Sequence, residues 1–114
     1  MPLSEKDLFE GLNEDLKDSF ATLRSRAQAF GDQEIYNNAR AVMFARRVCY
    51  MFVRPKKSYL ELCFFLDREE NDSSIHRVTA VSKTKFSHTV KLMHADQLED
   101  LLLERLKEAY ALAE

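Results

Sequence analysis

The spacing of apolar residues changes twice along the chain, and this change limits the fold more than any other feature. From Leu8 to Phe30 apolar residues recur at steps of three and four, and a second series of this kind runs from Leu98 to Ala113. Such steps keep one face of a helix apolar, whereas alternation at every second residue, as in 60–66, is typical of a half-buried strand. The order therefore predicts a helix, several strands and a final helix.

Residues at the ends of the two series support the helices. Ser4 followed three residues later by Asp7 resembles a capping box, so the first series predicts one long helix that begins there. Gly31 is suited to end it, because glycine adopts the left-handed conformation that follows many helices. Asp96 with Glu99 predicts the start of the C-terminal helix in the same way.

Segments between the helices alternate or are apolar on both faces, and polar loops separate them. Strands are expected at 34–37, 41–45, 48–53, 59–66 and 86–93, with 75–81 a short strand or an irregular crossing and 67–74 a solvated loop. The length fits one domain, residues 1–114. We expect an α+β fold, with an antiparallel β-meander sheet of about four to five strands and the N-terminal and C-terminal helices packed on one face.

Charge is unevenly distributed along the 114 residues, although the net charge is only −2. Residues 1–34 hold four basic and eight acidic side chains, residues 35–94 hold eleven and five, and residues 95–114 hold two and six. Acidic ends thus flank a basic middle, which bears on partners rather than on the fold. No signal pattern, membrane-length apolar run or CxxC spacing is present, so we expect a cytoplasmic protein without membrane contact.

Alternation assigns an apolar set of side chains to the sheet face that the helices are expected to leave open. A face of this composition is unfavourable in water. We therefore expect it to contact a second copy of the chain, as a homodimer, or another protein. The predicted interface residues are Met43, Cys49, Met51, Val53, Tyr59, Cys63, Phe65 and Met93.

Basic residues in the turns offer an alternative surface. Basic loops beside aromatic residues are the ingredients of a surface that contacts phosphates or single-stranded nucleic acid. Exposed lysines also protect sheet edges from aggregation, which is the structural interpretation of the same residues. The candidates for anion or nucleic-acid contact are Arg46, Arg47, Arg54, Lys56, Lys57, Lys83, Lys85 and His88.

His88 is the residue on which a third function would centre. It shares a strand face with Val90 and Leu92, which favours a partly buried structural histidine over a general base or an anion contact. The three histidines are scattered, and no glycine-rich phosphate loop or nucleophile motif is present, so we expect no metal site and no cofactor and assign no catalytic residue. Cys49 and Cys63 are expected as thiols, although a disulfide between the two hairpin arms is sterically conceivable.

Three stretches that together cover nearly the whole chain carry a family resemblance: LFEGLNEDLKDSF, CYMFVRPKKSYLELCFFLD and FSHTVKLMHADQLEDLLLERLKEAY. Four features are the most specific. Tyr50 is an aromatic residue five positions before Pro55, and the pair Lys56-Lys57 enters a strand. His88 begins the pattern H-x-V-x-L, and residues 108–110 are a closing Glu-Ala-Tyr. Through them the chain resembles the domain-of-unknown-function family 5655, which is related to a group labelled "predicted transport protein". The short loop 67–74 and the first strand at 35–38 depart from the family pattern.

The resemblance implies a small α+β module without a catalytic signature. Such modules occur alone or at the C-terminal end of larger proteins, some of which resemble modification-dependent restriction nucleases. We expect a non-catalytic interaction module that self-associates or docks a protein partner through its apolar sheet face. The alternatives are an accessory nucleic-acid-contacting domain that uses the basic loops, and a small-ligand binder or enzyme centred on His88.

Overall fold

The N-terminal apolar series forms two helices in the computed structural model, which describes residues 4–114. Helix α1 spans Glu5–Leu8 and helix α2 spans Glu14–Gln28. Gly11 interrupts the series with a φ of 84°, and Asn13 caps α2 by accepting a hydrogen bond from the Leu16 N–H at 2.9 Å. The prediction of one long helix is therefore wrong, because an α-helix excludes the positive φ that Gly11 adopts.

The other predicted helix ends have mixed outcomes. Ser4 and Asp7 form the predicted capping box, each side chain accepting from the other residue's N–H. The C-terminal helix α3 spans Asp100–Leu112, and a separate 3₁₀ turn at Ala95–Gln97 precedes it. Asp96 thus belongs to the turn and does not cap α3.

Six strands form one sheet in which every pair is antiparallel. They are β1 (Glu34–Asn37), β2 (Val42–Ala45), β3 (Cys49–Pro55), β4 (Leu60–Leu66), β5 (Arg77–Ser82) and β6 (Lys85–Leu92). The predicted α+β class and antiparallel sheet are confirmed. The sheet has six strands rather than about four to five, because 34–37 and 77–82 each pair with a neighbouring strand.

The last hairpin departs from a simple meander, since the strand order is β1-β2-β3-β4-β6-β5. Strand β6 pairs with β4, and β5 lies outside it at the edge of the sheet. Burial explains this order. Strand β6 supplies the fully buried His88, Val90 and Leu92, whereas β5 is largely exposed, and a strand that buries few side chains fits at an edge.

Helices α2 and α3 contribute to a single hydrophobic core on one face of the sheet. The core joins helical side chains such as Phe20 and Leu106 to the even-numbered residues of β4, all of which are buried. The predicted packing of the N-terminal and C-terminal helices on one face is therefore confirmed. The other face carries no helix within residues 4–114, and we call it the open face.

The turn between β3 and β4 decides which residues of β3 face the core. Pro55 pairs with Leu60 across residues 56–59, so odd-numbered residues of β3 lie opposite even-numbered residues of β4. Met51 and Val53 therefore point into the core and are fully buried. Their predicted place on the exposed interface is wrong, because pairing odd with odd assumed a register shifted by one residue, and such a shift exchanges the two faces.

Tyr50 and Met51 are adjacent in sequence, yet both are buried in the core. A register shift between Phe44 and Ala45 in the pairing of β2 with β3 allows this. The Tyr50 ring meets the Tyr110 ring of α3 edge to face, with centroids 5.5 Å apart. This bulge therefore helps to fix α3 on the sheet.

Candidate functional site

One row of side chains crosses the open face from edge to edge. Strand pairing places Met43 opposite Tyr36 and Phe52, Cys63 opposite Phe52 and Thr89, and Arg77 opposite Thr89. The row therefore runs through all six strands in the order Tyr36, Met43, Phe52, Cys63, Thr89, Arg77. It offers an extended ligand a continuous path across the sheet.

Basic side chains lie over three aromatic rings of the open face. The Arg54 guanidinium is 5.1 Å from the Phe52 ring centroid, and the Lys85 amine is 4.5 Å from that of Phe65. Lys91 makes the same kind of contact with Tyr59 at 5.1 Å. The Phe52 and Phe65 rings are themselves 6.1 Å apart. The open face thus combines aromatic surface with positive charge in one place.

Charge on the open face has one prevailing sign. Register places Arg54, Arg77, Lys85 and Lys91 on it, against the carboxylates of Glu34 and Glu61. Glu61 lies 3.6 Å from the Arg54 guanidinium and offsets only that cation. The helices on the opposite side expose both signs, with the acidic Glu14, Asp15, Asp18, Asp100 and Glu104 and the basic Lys17, Arg26 and Lys107. The sheet face is therefore basic, whereas the helix layer has only a small acidic excess.

The open face exposes less apolar surface than its sequence suggests. Cys63 and Thr89 at its centre are only 6% and 5% exposed. Cys49, Met43, Tyr59 and Phe65 are partly buried, and Met93 is exposed. With Met51 and Val53 in the core, the remaining predicted interface residues do not form one broad apolar patch.

Two depressions lie at opposite ends of the sheet, between the open face and the helices. At one end, a cavity of about 240 Å³ shares Phe65 and Lys85 with the open face and extends to Leu112 of α3. At the other end, Arg54 and Lys56 line a second depression together with Arg40 of the turn between β1 and β2 and with Asp7 and Leu8 of α1. The first cavity is mainly apolar, whereas the second brings three cations together beside the Asp7 carboxylate, so the two ends differ in chemistry.

The predicted basic turns are divided between these ends. Lys83 and Lys85 lie at the same end as the turn that holds Arg46 and Arg47, because Lys85 and Val48 line one cavity. Arg46 packs on Tyr110, with its guanidinium 4.1 Å above the ring and Nη1 donating to the Tyr110 carbonyl at 3.2 Å. These contacts hold Arg46 against α3.

The remaining predicted cations keep their accessibility. Arg47, Lys57 and Lys83 are exposed in turns, and Lys56 is exposed beside the second depression. Sequence reasoning missed Phe52, Arg77 and Lys91, which lie on the open face beside the predicted residues. The sequence shows that these residues alternate with apolar ones. It does not show which face of the sheet they occupy, because that depends on the register between strands.

His88 is a buried structural histidine. Its side chain is fully buried and stacks on Phe64 with ring centroids 5.1 Å apart. Nε2 accepts from the Glu70 N–H at 3.0 Å, and Nδ1 lies 3.1 Å from the Phe86 carbonyl, to which it donates in the neutral tautomer that this pattern requires. Burial lowers the pKa of His88 below its ordinary value of 6.5. The predicted anion contact by His88 is wrong, because the ring faces the core and both nitrogens are engaged.

Loop 67–76 is held to α3 by ion pairs and is less free than a solvated loop. The Arg68 guanidinium contacts Glu108 in a bidentate arrangement and also lies 2.7 Å from Glu70. Arg105 lies 2.8 Å from Glu70 and 3.0 Å from Asp72, the second contact being an ion pair without hydrogen-bond geometry. Hydrogen bonds from the arginines hold the pKa of Glu70 and Glu108 below the ordinary glutamate value.

Both cysteines are free thiols. Cys49 donates from Sγ to the Met51 carbonyl at 3.2 Å, and Cys63 Sγ lies 3.9 Å from the Thr89 hydroxyl. Burial raises the pKa of both thiols, which disfavours the reactive thiolate. Within residues 4–114, no three metal-ligating side chains converge.

Comparison with known protein families gives the chain a family but no activity. The model of the family described as "Domain of unknown function (DUF5655)" matches residues 5–113. The chain belongs to the DUF5655 family. No curated protein and no solved structure matches the DUF5655 chain significantly. Among the described residues, this DUF5655 domain has no helix long and apolar enough to cross a membrane.

Proposed function

We propose that this DUF5655 domain binds single-stranded nucleic acid across its open face. The observation that carries the proposal is the set of three aromatic rings, each with a lysine or arginine over it, on the sheet face without helices. Aromatic rings stack with unpaired bases of any sequence, and the neighbouring cations neutralise phosphates. Duplexes keep their bases stacked inside and offer the rings no such surface, so the preference is for single strands.

The charge distribution supports an anionic partner over self-association. A symmetric dimer through the open face would bring the four cations of each copy together, and like charges oppose such an interface. Of the apolar residues predicted for a dimer, only Met93 is exposed, and the others are partly or fully buried. An extended polyanion instead meets the cations of β3, β5 and β6, which outnumber the carboxylates of Glu34 and Glu61 on the same face.

The test is fluorescence anisotropy of labelled single-stranded and double-stranded DNA and RNA at several salt concentrations. If the four cations of the open face each contact a phosphate, the logarithm of the affinity falls with the logarithm of salt with a slope of about −3. The charge-reversal variant Lys85→Glu/Lys91→Glu should reduce this slope by at least about 1.4, since two contacts are lost. Phe65→Ala should weaken binding by about 1–3 kcal/mol at every salt concentration.

A matched control reverses two cations of the helix layer, Lys17→Glu/Lys107→Glu. Both lysines are exposed, so the net charge changes equally while the open face stays intact. If the two variants lost equal affinity for the single strand, overall charge alone would explain binding, and the proposal would be overturned. Failure to bind any strand at low salt would also overturn it. A mass that rises with protein concentration and falls in Phe65→Asp would then favour the dimer.

The proposal also includes a reducing compartment, the cytoplasm. Cys49 and Cys63 are both free, and neither has a disulfide partner among residues 4–114. Thiols persist in the cytoplasm, where glutathione and thioredoxin keep them reduced.

A further inference from the structure

The mainly apolar cavity at the Lys85 end of the open face differs from the rest of the face in shape. Its volume is about 240 Å³, and strands β3, β4 and β6 and the last turn of α3 form its walls. Val48 and Leu112 at its rim are 51% and 48% exposed, which is high for large apolar side chains. The cavity is continuous with the open face, because Phe65 and Lys85 line both.

Few polar groups in the cavity are available to a ligand. The Tyr50 hydroxyl already donates to Gln33 at 2.5 Å, and the Cys49 thiol donates to the Met51 carbonyl. The Asp67 carboxylate, the Thr84 hydroxyl and the Lys85 amine remain. Asp67 Oδ1 lies 3.2 Å from Arg68 Nη1, but its side chain is 55% exposed and can accept further hydrogen bonds.

We propose that this cavity receives one unstacked base of the single strand and selects bases that carry an exocyclic amino group. This inference rests on the proposed function. The apolar walls accommodate the faces of the base, Asp67 accepts from the amino group, and Lys85 holds the adjoining phosphate. A carboxylate accepts from the amino group of cytosine but repels the carbonyl oxygen that thymine and uracil carry at the same position. The cavity therefore distinguishes cytosine from thymine, which have nearly the same size.

The experiment compares oligo(dC) and oligo(dT) of equal length by anisotropy at one low salt concentration. The wild-type domain should bind oligo(dC) more tightly by about fivefold or more. Asp67→Asn should bring the ratio of the two affinities close to one, because the amide NH₂ can donate to the thymine carbonyl. Asp100→Asn, the same change on the exposed helix layer, should leave the ratio unchanged.

The outcomes separate the two proposals. If neither oligonucleotide binds, the proposed function fails, and the inference fails with it. If both bind equally, or if Asp67→Asn leaves a cytosine preference intact, the open face binds nucleic acid but the cavity does not select the base. Melting curves of both variants show whether the fold is kept, so a change in the ratio can be assigned to the cavity.

Discussion

Gly31 lies where the chain leaves α2, and its replacement by alanine should destabilise the fold through a clash with α3. Its φ is 142°, a conformation that residues with a side chain rarely adopt. A Cβ at this position would lie under 3.0 Å from the Tyr110 hydroxyl oxygen and 3.3 Å from Cζ of the same ring. Either the backbone of Gly31 or the Tyr110 ring must therefore move.

The Tyr110 ring has little room to move. The hydroxyl donates to the Asp32 carbonyl at 2.9 Å, Arg46 lies over the ring, and Tyr50 meets it edge to face. Backbone strain at Gly31→Ala costs about 1–3 kcal/mol. Loss of the Tyr110 hydrogen bond adds about 0.5–1.5 kcal/mol. We expect a total loss of about 2–4 kcal/mol in the free energy of unfolding, or roughly 8–16 °C in melting temperature for a domain of this size.

Urea denaturation followed by circular dichroism measures this loss, and Gly11→Ala is the matched control. Gly11 also has a positive φ, of 84°, but a Cβ there meets no atom within 4 Å. Its replacement should cost only the backbone strain, about 1–2 kcal/mol. In the double variant Gly31→Ala/Tyr110→Phe the nearest clashing atom is absent. Its loss in the free energy of unfolding should therefore be smaller, by about 1 kcal/mol, than the sum of the losses in the two single variants. The reasoning would be refuted if Gly31→Ala and Gly11→Ala lowered the free energy of unfolding equally and the loss in the double variant equalled the sum of the single losses.

Two further predictions concern single residues. Burial lowers the pKa of His88 below 6.5, so as the pH falls the unfolded chain binds a proton at His88 before the folded protein does. The free energy of unfolding should therefore fall as the pH drops from 6.5 toward the folded pKa. In His88→Gln the urea midpoint should change less with pH across this range. A slope that is unchanged in His88→Gln would contradict this. Asn13→Ala should cost about 0.5–2 kcal/mol through loss of the α2 cap, and Asn13→Ser, which retains an acceptor for the Leu16 N–H, should recover most of it in thermal melts. Equal melting temperatures for the two Asn13 variants would speak against the cap.

The sequence by itself determined the elements that depend on local patterns. The capping box at Ser4, strand β1 at 34–37 and the burial of His88 beside Val90 all follow from residues close in the chain. Periodicity also predicted the order of helices and strands and therefore the α+β class. The break at Gly11 lay within reach of the same reasoning, since glycine followed by a capping residue is a signal to end one helix and begin another.

Only the tertiary structure decided the composition of the open face. Alternation shows that neighbouring residues face opposite ways, but the turn at 56–59 and the bulge at Tyr50 decide which way each strand faces. This register moved Met51 and Val53 into the core. Likewise, the placement of β6 between β4 and β5 brought Lys85 over Phe65, a contact between residues twenty positions apart. The period of the side chains is a local property of each strand. Strand order and register are long-range properties, because they are set by the pairing of strands that buries the most apolar surface. The basic and aromatic open face exists only through that pairing.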